Sequence, residues 1–426
     1  MHDVIIVGAR VAGSATALLL ARAGLKVLVV DRAAFPSDTL STHQVQVPGV
    51  ARLARWGLLD AIMAAGTPPT RSVRFDQGAA AFTARIPACD GVDMMCSPRR
   101  TLLDKVLLDA ARAAGAEVRE NFITEDLLAD GGTVTGIRGQ EKGSPSVTEH
   151  ARLVIGADGK HSTVARAVGR AATAPGRRGR WRSTPTGPTC RSRAVSCYAR
   201  PGCAVGAWPT NDGLVMTYLA WPNARFGEFR ADPEGTSCAR WTPSGWGAGP
   251  GRAARRALPR HPRPAQLLPP AVRAGLGPGG RRRAAAGPDH RPGHRRRVPR
   301  RRAARATRWS PGWAATGRWP RRWLDYQRAR DRAARPMHDF TARLAALSPP
   351  SPGEIALFEA LSRSQPDADR FIAMLAGVVP VREFMSPRTI VGLVGVRGFA
   401  RLVAGQARRG PTAHGPRGAR ARRRRA

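Results

Sequence analysis

The sequence predicts an α/β fold with a parallel sheet, a smaller antiparallel sheet and a group of C-terminal helices. Residues 3–32 have a strand–turn–helix–strand pattern, which is typical of two parallel strands joined by a crossover helix. Residues 204–221 contain two short apolar strands around Asn211-Asp212-Gly213, a strong signal for a hairpin turn. From residue 323 onward, apolar residues recur at helical spacing.

Strands and helices alternate through the first 170 residues. The predicted strands are 4–7, 26–30, 72–75, 81–86, 117–120, 133–138, 151–155, 204–208 and 214–221. The predicted helices are 14–23, 48–65, 101–114, 323–335, 336–347, 352–362, 366–376 and 397–407, with one more beginning near residue 162. Short β-branched runs favour strands, as at Val4–Val7. Apolar residues on one face favour helices, as at Leu103 and Leu107, and Pro48 suits a first helical turn.

The first turn has the chemistry of a dinucleotide site on a Rossmann-like βαβ unit. Gly8 allows the sharp turn, and Gly13 lets helix and strand pack closely. The N–H groups and positive dipole of the helix start suit a pyrophosphate. Asp31 follows Gly13 by 18 residues (31 − 13), a spacing that suits a ribose hydroxyl. The candidate dinucleotide-binding residues are Gly8, Ala9, Arg10, Val11, Ala12, Gly13, Asp31 and Arg32.

Arg10 departs from the dinucleotide pattern. It stands where the middle glycine of GxGxxG lets the backbone approach the phosphates. Two consequences remain open: Arg10 weakens the site, or it contacts the phosphate itself. An ordinary βαβ unit without a nucleotide is the alternative to both.

The net charge of +40 would, taken alone, suggest a nucleic-acid partner. Its distribution argues otherwise, because residues 1–170 hold 20 Lys+Arg and 17 Asp+Glu. Residues 241–320 hold 19 Arg and a single acid, Asp289. Such Arg/Pro/Gly-rich blocks bury too little apolar surface to fold alone, and they lack regularly interleaved aromatics.

The remaining composition predicts a cytoplasmic protein without metal. The six cysteines have no CxxC spacing, which favours reduced thiols and no structural zinc. No apolar run is long enough for a membrane span. Met1 to Asp3 lead straight into the first strand, so we expect no signal peptide. The oligomeric state is not predictable from these features.

Three motifs together resemble the flavoprotein monooxygenases of the para-hydroxybenzoate hydroxylase type. They are the βαβ unit, Arg100-Thr101-Leu102-Leu103-Asp104, and a DGxxSxxR-like segment from Gly156 to Arg166 whose arginine comes one place late. The segment from Phe35 to His43 is similar to the loop beside the flavin. The resemblance implies FAD as cofactor, NAD(P)H as co-substrate, and a small-molecule substrate and O₂ as partners. It adds Thr42, His43, Arg100, Asp158 and Gly159 to the candidate cofactor-binding residues.

The resemblance implies an NAD(P)H-dependent monooxygenase of a small organic substrate. Alternatives are a prenyl-chain reductase or a halogenase on the same fold, although the halogenase signature WxWxIP is absent, and a non-catalytic basic nucleic-acid-binding protein. No catalytic acid or base is identified. Individual residues also have simpler roles: Arg100 as a solvated residue near a helix start, Asp158-Gly159 as a turn with a helix cap, and His43 as a packing residue.

One further flavin motif of the family, GWALVGDA followed by DPxTGQGI, is missing where it is expected. Residues 275–282 read GLGPGGRR and residues 287–296 read GPDHRPGHRR. GC-rich codons for GWALVGDA and DPITGQGIGD, read from one base earlier, encode these two segments. We infer that about 236–322 is an out-of-frame translation, through a frameshifted gene or errors in its nucleotide sequence. Residues 171–196 and the tail after about 407 have the same character.

This inference sets the expected organisation and cofactor affinity. The predicted divisions are 1–170 for FAD binding, with 76–96 contributing to a substrate domain; 171–275 for that domain, partly out of frame; 276–322 for a degenerate second FAD segment; 323–407 for C-terminal helices; and 408–426 for a disordered basic tail. The chain as printed is expected to keep the ADP half of the site and to bind FAD weakly or not at all.

Overall fold

The structure, a computed structural model, describes residues 1–39, 41–159, 161–168, 179–186, 195–200, 202–222, 273–274 and 321–408. Its strands are β1 (His2–Val7), β2 (Val27–Val30), β3 (Pro69–Thr70), β4 (Ser72–Asp76), β5 (Ala81–Arg85), β6 (Met95–Cys96), β7 (Glu117–Arg119), β8 (Phe122–Asp130), β9 (Thr133–Glu141), β10 (Val147–Gly156), β11 (Gly179–Thr186), β12 (Val195–Arg200), β13 (Cys203–Pro209), β14 (Val215–Pro222) and β15 (Arg273–Ala274). Its helices are α1 (Val11–Arg22), α2 (Val47–Arg55), α3 (Leu59–Ala64), α4 (Arg100–Ala113), α5 (Thr163–Ala167), α6 (Arg321–Leu344), α7 (Pro352–Arg363), α8 (Gln365–Leu375), α9 (Val381–Phe384) and α10 (Pro387–Arg408).

The larger sheet has the strand order β7–β2–β1–β10–β9–β8, with β15 paired to β10. Strands β7, β2 and β1 and the second half of β10 run parallel, and α1 forms the crossover between β1 and β2. The first half of β10 pairs antiparallel with β9. Both faces of the parallel part are buried: Ile6 and Val29 pack against the α1 and α4 side, and Ile5 and Leu28 pack with Phe122 on the other. The predicted α/β fold with a parallel sheet is confirmed.

The second sheet has the strand order β11–β14–β13–β12–β4–β5. Its neighbours pair antiparallel, except that β12 runs parallel to β4. Phe75 and Phe82 of this sheet pack against Phe358 of α7 and Phe371 of α8; the ring centroids of Phe75 and Phe358 lie 5.5 Å apart. The C-terminal helices thus close the second core.

The predicted hairpin turn lies between β13 and β14. Asp212 and Gly213 have φ values of 62° and 65°, and the Leu214 N–H donates to the Asn211 carbonyl at 3.2 Å. Positive φ at both central residues is the signature of the type I′ turn, which matches the twist of a hairpin. The turn prediction is therefore confirmed.

Two helix predictions are wrong in their extent. The segment 48–65 forms two helices, because Gly57 at φ 76° breaks the run and lets Trp56 and Leu58 turn into the core. The segments 323–335 and 336–347 form the single helix α6, which continues through Pro336. Proline removes one helical hydrogen bond, and packing of Phe340 against the second core offsets that loss.

Several other boundaries also differ. Strands β8 and β12 were not predicted, and β10 begins at Val147 rather than at 151. Strands β11 and β15 lie in the blocks 171–196 and 236–322, where no secondary structure was expected; backbone pairing to β14 and to β10 forms them. The helix predicted at 397–407 begins at Pro387, with non-helical torsion angles at Gly395.

Some predictions fall outside the described residues, including the segments 275–282 and 287–296 and the tail 409–426. Among the described cysteines, Cys89, Cys96 and Cys197 are reduced thiols, whereas Cys203 is disulfide-bonded, so the prediction of reduced thiols is wrong at that position. In the part of the chain that the structure covers, no helix is long and apolar enough to cross a membrane. The same part contains no cluster of His, Cys, Asp and Glu suited to a metal ion.

Candidate cofactor site

The β1–α1 turn brings three segments into close contact. Gly8 has φ +106°, and its N–H donates to the Val30 carbonyl at 2.7 Å. A Cβ at Gly8 would lie 2.5 Å from the Ala157 carbonyl oxygen, and a Cβ at Gly13 would lie only 1.7 Å from the Gly8 carbonyl oxygen. No side chain fits at either position, so β1, α1 and the end of β10 meet backbone to backbone.

Helix α1 begins directly after this turn. Arg10 is its N-cap residue, with an extended backbone (φ −81°, ψ −170°), and no side chain caps the first turn. The first N–H groups of a helix have no partner within the helix, so those of Val11, Ala12 and Gly13 suit an anion. The Arg10 torsion angles suit any residue. A glycine would be required here only for close approach of a ligand, not by the backbone conformation.

Asp31 follows β2 at the same edge of the sheet. Its carboxylate accepts the Ala9 N–H at Oδ2 (2.7 Å) and the Ala33 N–H at Oδ1 (2.8 Å). A carboxylate offers about four lone-pair positions, so two remain for ribose hydroxyls. The neighbouring Arg32 is exposed and has no ion pair within the described residues.

Asp104 of α4 connects two of the candidate residues. Its side chain is fully buried, and it accepts from Arg10 Nη1 at 2.7 Å and from Nε and Nη2 of Arg100, both at 2.9 Å. Ser37 adds two contacts to Arg10, with Nη2 donating to Ser37 Oγ at 3.1 Å and Nη1 donating to the Ser37 carbonyl at 3.4 Å. Arg10 also lies over the Phe35 ring, 5.4 Å from its centroid. These bonds tie the β1–α1 turn to α4 and to the loop after β2.

Asp158 follows β10 and faces the start of α5. Its Oδ2 accepts the N–H groups of Thr163 at 2.6 Å and Val164 at 3.2 Å, so it caps the helix together with Ser162. Its Oδ1 is buried and has no partner within the described residues. Gly159 has φ +78°, which turns the chain between Asp158 and α5. One carboxylate oxygen thus has a structural role, and the other is buried without a hydrogen-bond partner in the part of the chain that the structure describes.

The segment 41–43 is held from both sides. His43 has φ 59°; Ser41 Oγ accepts its N–H at 3.0 Å and lies 2.9 Å from its Nδ1. The Thr42 carbonyl accepts from Trp208 Nε1 of the second sheet at 2.8 Å. Burial is the main reason why the pKa of His43 falls from 6.5 to about 4; the charges of Asp38 and Asp104 raise it, whereas Arg99 and Arg100 lower it. The imidazole is therefore neutral near pH 7.

The structure brings most of the predicted residues into one region. Residues 8–13, Asp31 and Asp158 lie at the carboxyl ends of three parallel strands, the usual ligand-binding edge of such sheets. Arg100 joins them through Asp104. The prediction did not include Asp104 itself, although its spacing of four residues from Arg100 on a helix was a usable signal.

The geometry fits a dinucleotide such as FAD in three respects. The close glycine crossing at Gly8 and Gly13 leads into a helix start whose first N–H groups no side chain caps. Asp31 keeps free lone pairs beside that start. The unpartnered Oδ1 of Asp158 would gain a hydrogen bond from a ligand hydroxyl or N–H.

Comparison with known proteins identifies the family. Residues 1–228, more than half of the chain, match the family described as an FAD binding domain. The chain belongs to this family. The prediction of an FAD-binding protein from the sequence motifs is confirmed.

The chain is similar to relatives with different names. Digeranylgeranylglycerophospholipid reductase 2 of Methanopyrus kandleri is 32% identical over 174 residues, 39% of this chain and 40% of the relative. Aklavinone 12-hydroxylase of Streptomyces peucetius subsp. caesius is 32% identical over 191 residues, 39% and 37% of the two chains. FixC of Salmonella typhi is 31% identical over 184 residues, 40% of each. The alignments thus span about 40% of the relatives' lengths.

Two solved structures have a similar fold. A flavoprotein/dehydrogenase from Cytophaga hutchinsonii superposes with a TM-score of 0.62 at 17% identity, covering 95% of this chain and all of its own (100%). PqsL of Pseudomonas aeruginosa, described as a probable FAD-dependent monooxygenase, has a TM-score of 0.51 at 16% identity; the superposition covers 95% of this chain and 99% of PqsL. At these identities the likeness concerns the fold alone.

Proposed function

We propose that this protein is an FAD-dependent oxidoreductase, specifically an NAD(P)H-dependent monooxygenase that acts on a small organic substrate with O₂. The observation that carries the proposal is the assembled site at the ends of β1, β2 and β10, where an uncapped helix start adjoins Asp31 and the free oxygen of Asp158. The oxygenase assignment is supported by the aklavinone 12-hydroxylase relative, whose matched region covers 39% of this chain. A cytoplasmic location belongs to the same proposal.

Each candidate residue has a distinct part in the proposed site. Residues 8–13 receive the pyrophosphate of FAD at the N–H groups of α1, and Asp31 accepts from a ribose hydroxyl. Asp158 accepts a ligand donor at Oδ1. Arg100 supplies positive charge near the phosphates, and the adjacent Arg32 is placed to contact the adenosine end. Gly159 gives the turn that sets Asp158 in place.

The loop 41–43 has a positioning role in this proposal. FAD, when bound, supplies the redox chemistry between the nicotinamide, O₂ and the substrate. The chain orients these groups and excludes water. His43, neutral and fixed by Ser41, can donate or accept a hydrogen bond without adding a charge. The Thr42 carbonyl accepts a hydrogen bond from Trp208, which connects this loop to the second sheet.

The test begins with the reading frame, because the proposal places the flavin motif in the other frame of about 236–322. The gene is resequenced across codons 165 to 330, and the printed and frame-restored chains are compared. The restored chain is expected to bind one FAD and to couple substrate-dependent NAD(P)H oxidation to O₂ consumption. The printed chain is expected to bind ADP and to hold FAD weakly. Tight, stoichiometric FAD in the printed chain would contradict the out-of-frame inference.

A prenyl-chain reductase is the second candidate, favoured by the Methanopyrus kandleri relative. The two functions differ in their need for O₂. A monooxygenase incorporates oxygen from O₂ into its product and gives none under anaerobic conditions. A reductase saturates a double bond without O₂. Product formation by the FAD-loaded chain in the absence of O₂ would replace the monooxygenase proposal with the reductase.

A further inference from the structure

Arg10 stands where a dinucleotide site usually has its middle glycine, and its hydrogen bonds show what the substitution provides. A guanidinium has five N–H donors. Nη1 donates to Asp104 and to the Ser37 carbonyl, and Nη2 donates once, to Ser37 Oγ. The N–H of Nε and the second N–H of Nη2 have no partner within the described residues. Nε and Nη2 share one edge of the guanidinium plane, called the open edge here because it has unused donors.

The charges around Arg10 leave an excess of positive charge. Two guanidiniums, those of Arg10 and Arg100, face the single carboxylate of Asp104, so the trio has a net charge of +1. The Asp104 side chain is fully buried, whereas that of Arg10 is 29% exposed and that of Arg100 is 15% exposed. The carboxylate of Asp104 is therefore shielded from solvent, whereas the two arginine side chains are partly exposed to solvent.

The open edge belongs to the residue that begins α1. Arg10 is the N-cap residue, so its guanidinium is attached to the backbone that presents the free N–H groups of the helix start. Ser37, Asp104 and the Phe35 ring fix the guanidinium, so little side-chain entropy is lost when it binds a ligand. An Nε–Nη2 edge matches two oxygens of one phosphate.

We infer that Arg10 is a phosphate-binding residue: its open Nε–Nη2 edge binds the pyrophosphate of the dinucleotide beside the free N–H groups at the start of α1. Asp104 and Ser37 are positioning residues that hold the guanidinium in this orientation. The inference rests on the proposed function, because it requires a dinucleotide at the start of α1.

The test replaces Arg10 by the glycine that the usual motif contains. The affinities of the full chain, Arg10→Gly and Arg10→Lys for ADP and for adenosine are measured by isothermal titration calorimetry at several salt concentrations. Arg10→Gly is expected to weaken ADP binding about tenfold or more, the effect of one lost charge-assisted contact, and to leave adenosine binding unchanged. Its ADP affinity should also depend less on salt. Arg10→Lys keeps the charge but loses the planar edge, so its affinity for ADP should lie between those of the parent chain and Arg10→Gly.

The matched control is Arg55→Ala. Arg55 is 58% exposed and pairs with Asp90 at the surface, so this variant removes one positive charge away from the turn and should bind ADP as the parent does. Circular dichroism and the midpoint of denaturation verify that each variant folds. Unchanged or tighter ADP binding by folded Arg10→Gly would overturn the inference and leave the FAD proposal standing. Failure of the parent chain to bind either ADP or FAD would overturn both.

Discussion

The substitution Gly13→Ala tests whether the crossing of α1 over β1 is as tight as the structure indicates. The added Cβ would lie 1.7 Å from the Gly8 carbonyl oxygen, and an ordinary contact begins at 3.4 Å. Relief requires α1 to move about 1.7 Å (3.4 − 1.7) away from a core that includes the fully buried Leu18. Overpacking of this kind costs about 3 kcal/mol, against a gain of about 1 kcal/mol in helix propensity. We expect a net loss of about 2 kcal/mol in the free energy of unfolding.

Gly392→Ala is the matched control for this prediction. Gly392 also lies in a helix, α10, but a Cβ there would meet nothing within 4 Å. The same chemical change should therefore stabilise the chain, by up to about 1 kcal/mol. Urea denaturation followed by circular dichroism gives both midpoints, and ADP titration reports the state of the turn. A Gly13→Ala midpoint equal to or above that of the parent would refute the backbone-contact argument.

Two further predictions concern the loop 41–43 and the hairpin turn. The pKa of His43 is about 4 in the folded chain and 6.5 otherwise, so the unfolded state binds the proton first as the pH falls. The free energy of unfolding should then fall by roughly 2 kcal/mol as the pH falls from 6.5 to about 5. Urea midpoints measured against pH report this loss, and His43→Gln should remove the part of it that comes from His43. An equal pH dependence in the parent chain and in the variant would contradict this. Asn211 is buried and bonds Arg99, Ala65 and Thr67, with the Arg99 N–H 2.9 Å from its Oδ1. Asn211→Ala should cost about 2–3 kcal/mol in thermal or urea denaturation, whereas Asp212→Asn, at an exposed position of the same turn, should change stability by less than about 0.5 kcal/mol; equal effects would show that the buried bonds do not matter.

The elements predicted correctly from sequence are those with strong local signals. The β1–α1–β2 unit combines glycines, a β-branched run and an Ala/Leu-rich helix, and the type I′ turn follows directly from Asp212 and Gly213. Strand β8 has no such signal, because it contains three acids and most of its side chains are not buried. Its pairing with β9, rather than its composition, makes it a strand.

For the candidate site, too, the sequence predicted the local motifs but not the tertiary contacts between them. The motifs placed Gly8, Asp31 and Asp158 at one edge of the sheet because parallel strands end together. The bond between Arg10 and Asp104 joins residues 94 positions apart and depends on how α4 packs beside α1. No spacing rule in a single sequence indicates such a contact. The sequence alone therefore leaves both consequences of Arg10 open, and the inference that it binds phosphate depends on its tertiary contacts.

The six-stranded sheet takes β4 and β5 from before α4 and its other strands from after α5, so no single cut divides the chain into two complete sheets. A ribosome delivers β4 well before β12, its parallel neighbour. Until Val195 and the residues after it emerge, the free edge of β4 offers unpaired backbone groups to any other chain. Closing this pairing also requires a long loop, which makes it slow. A nascent chain in which the β1–α1 turn has already formed can thus still pair wrongly with another chain along β4.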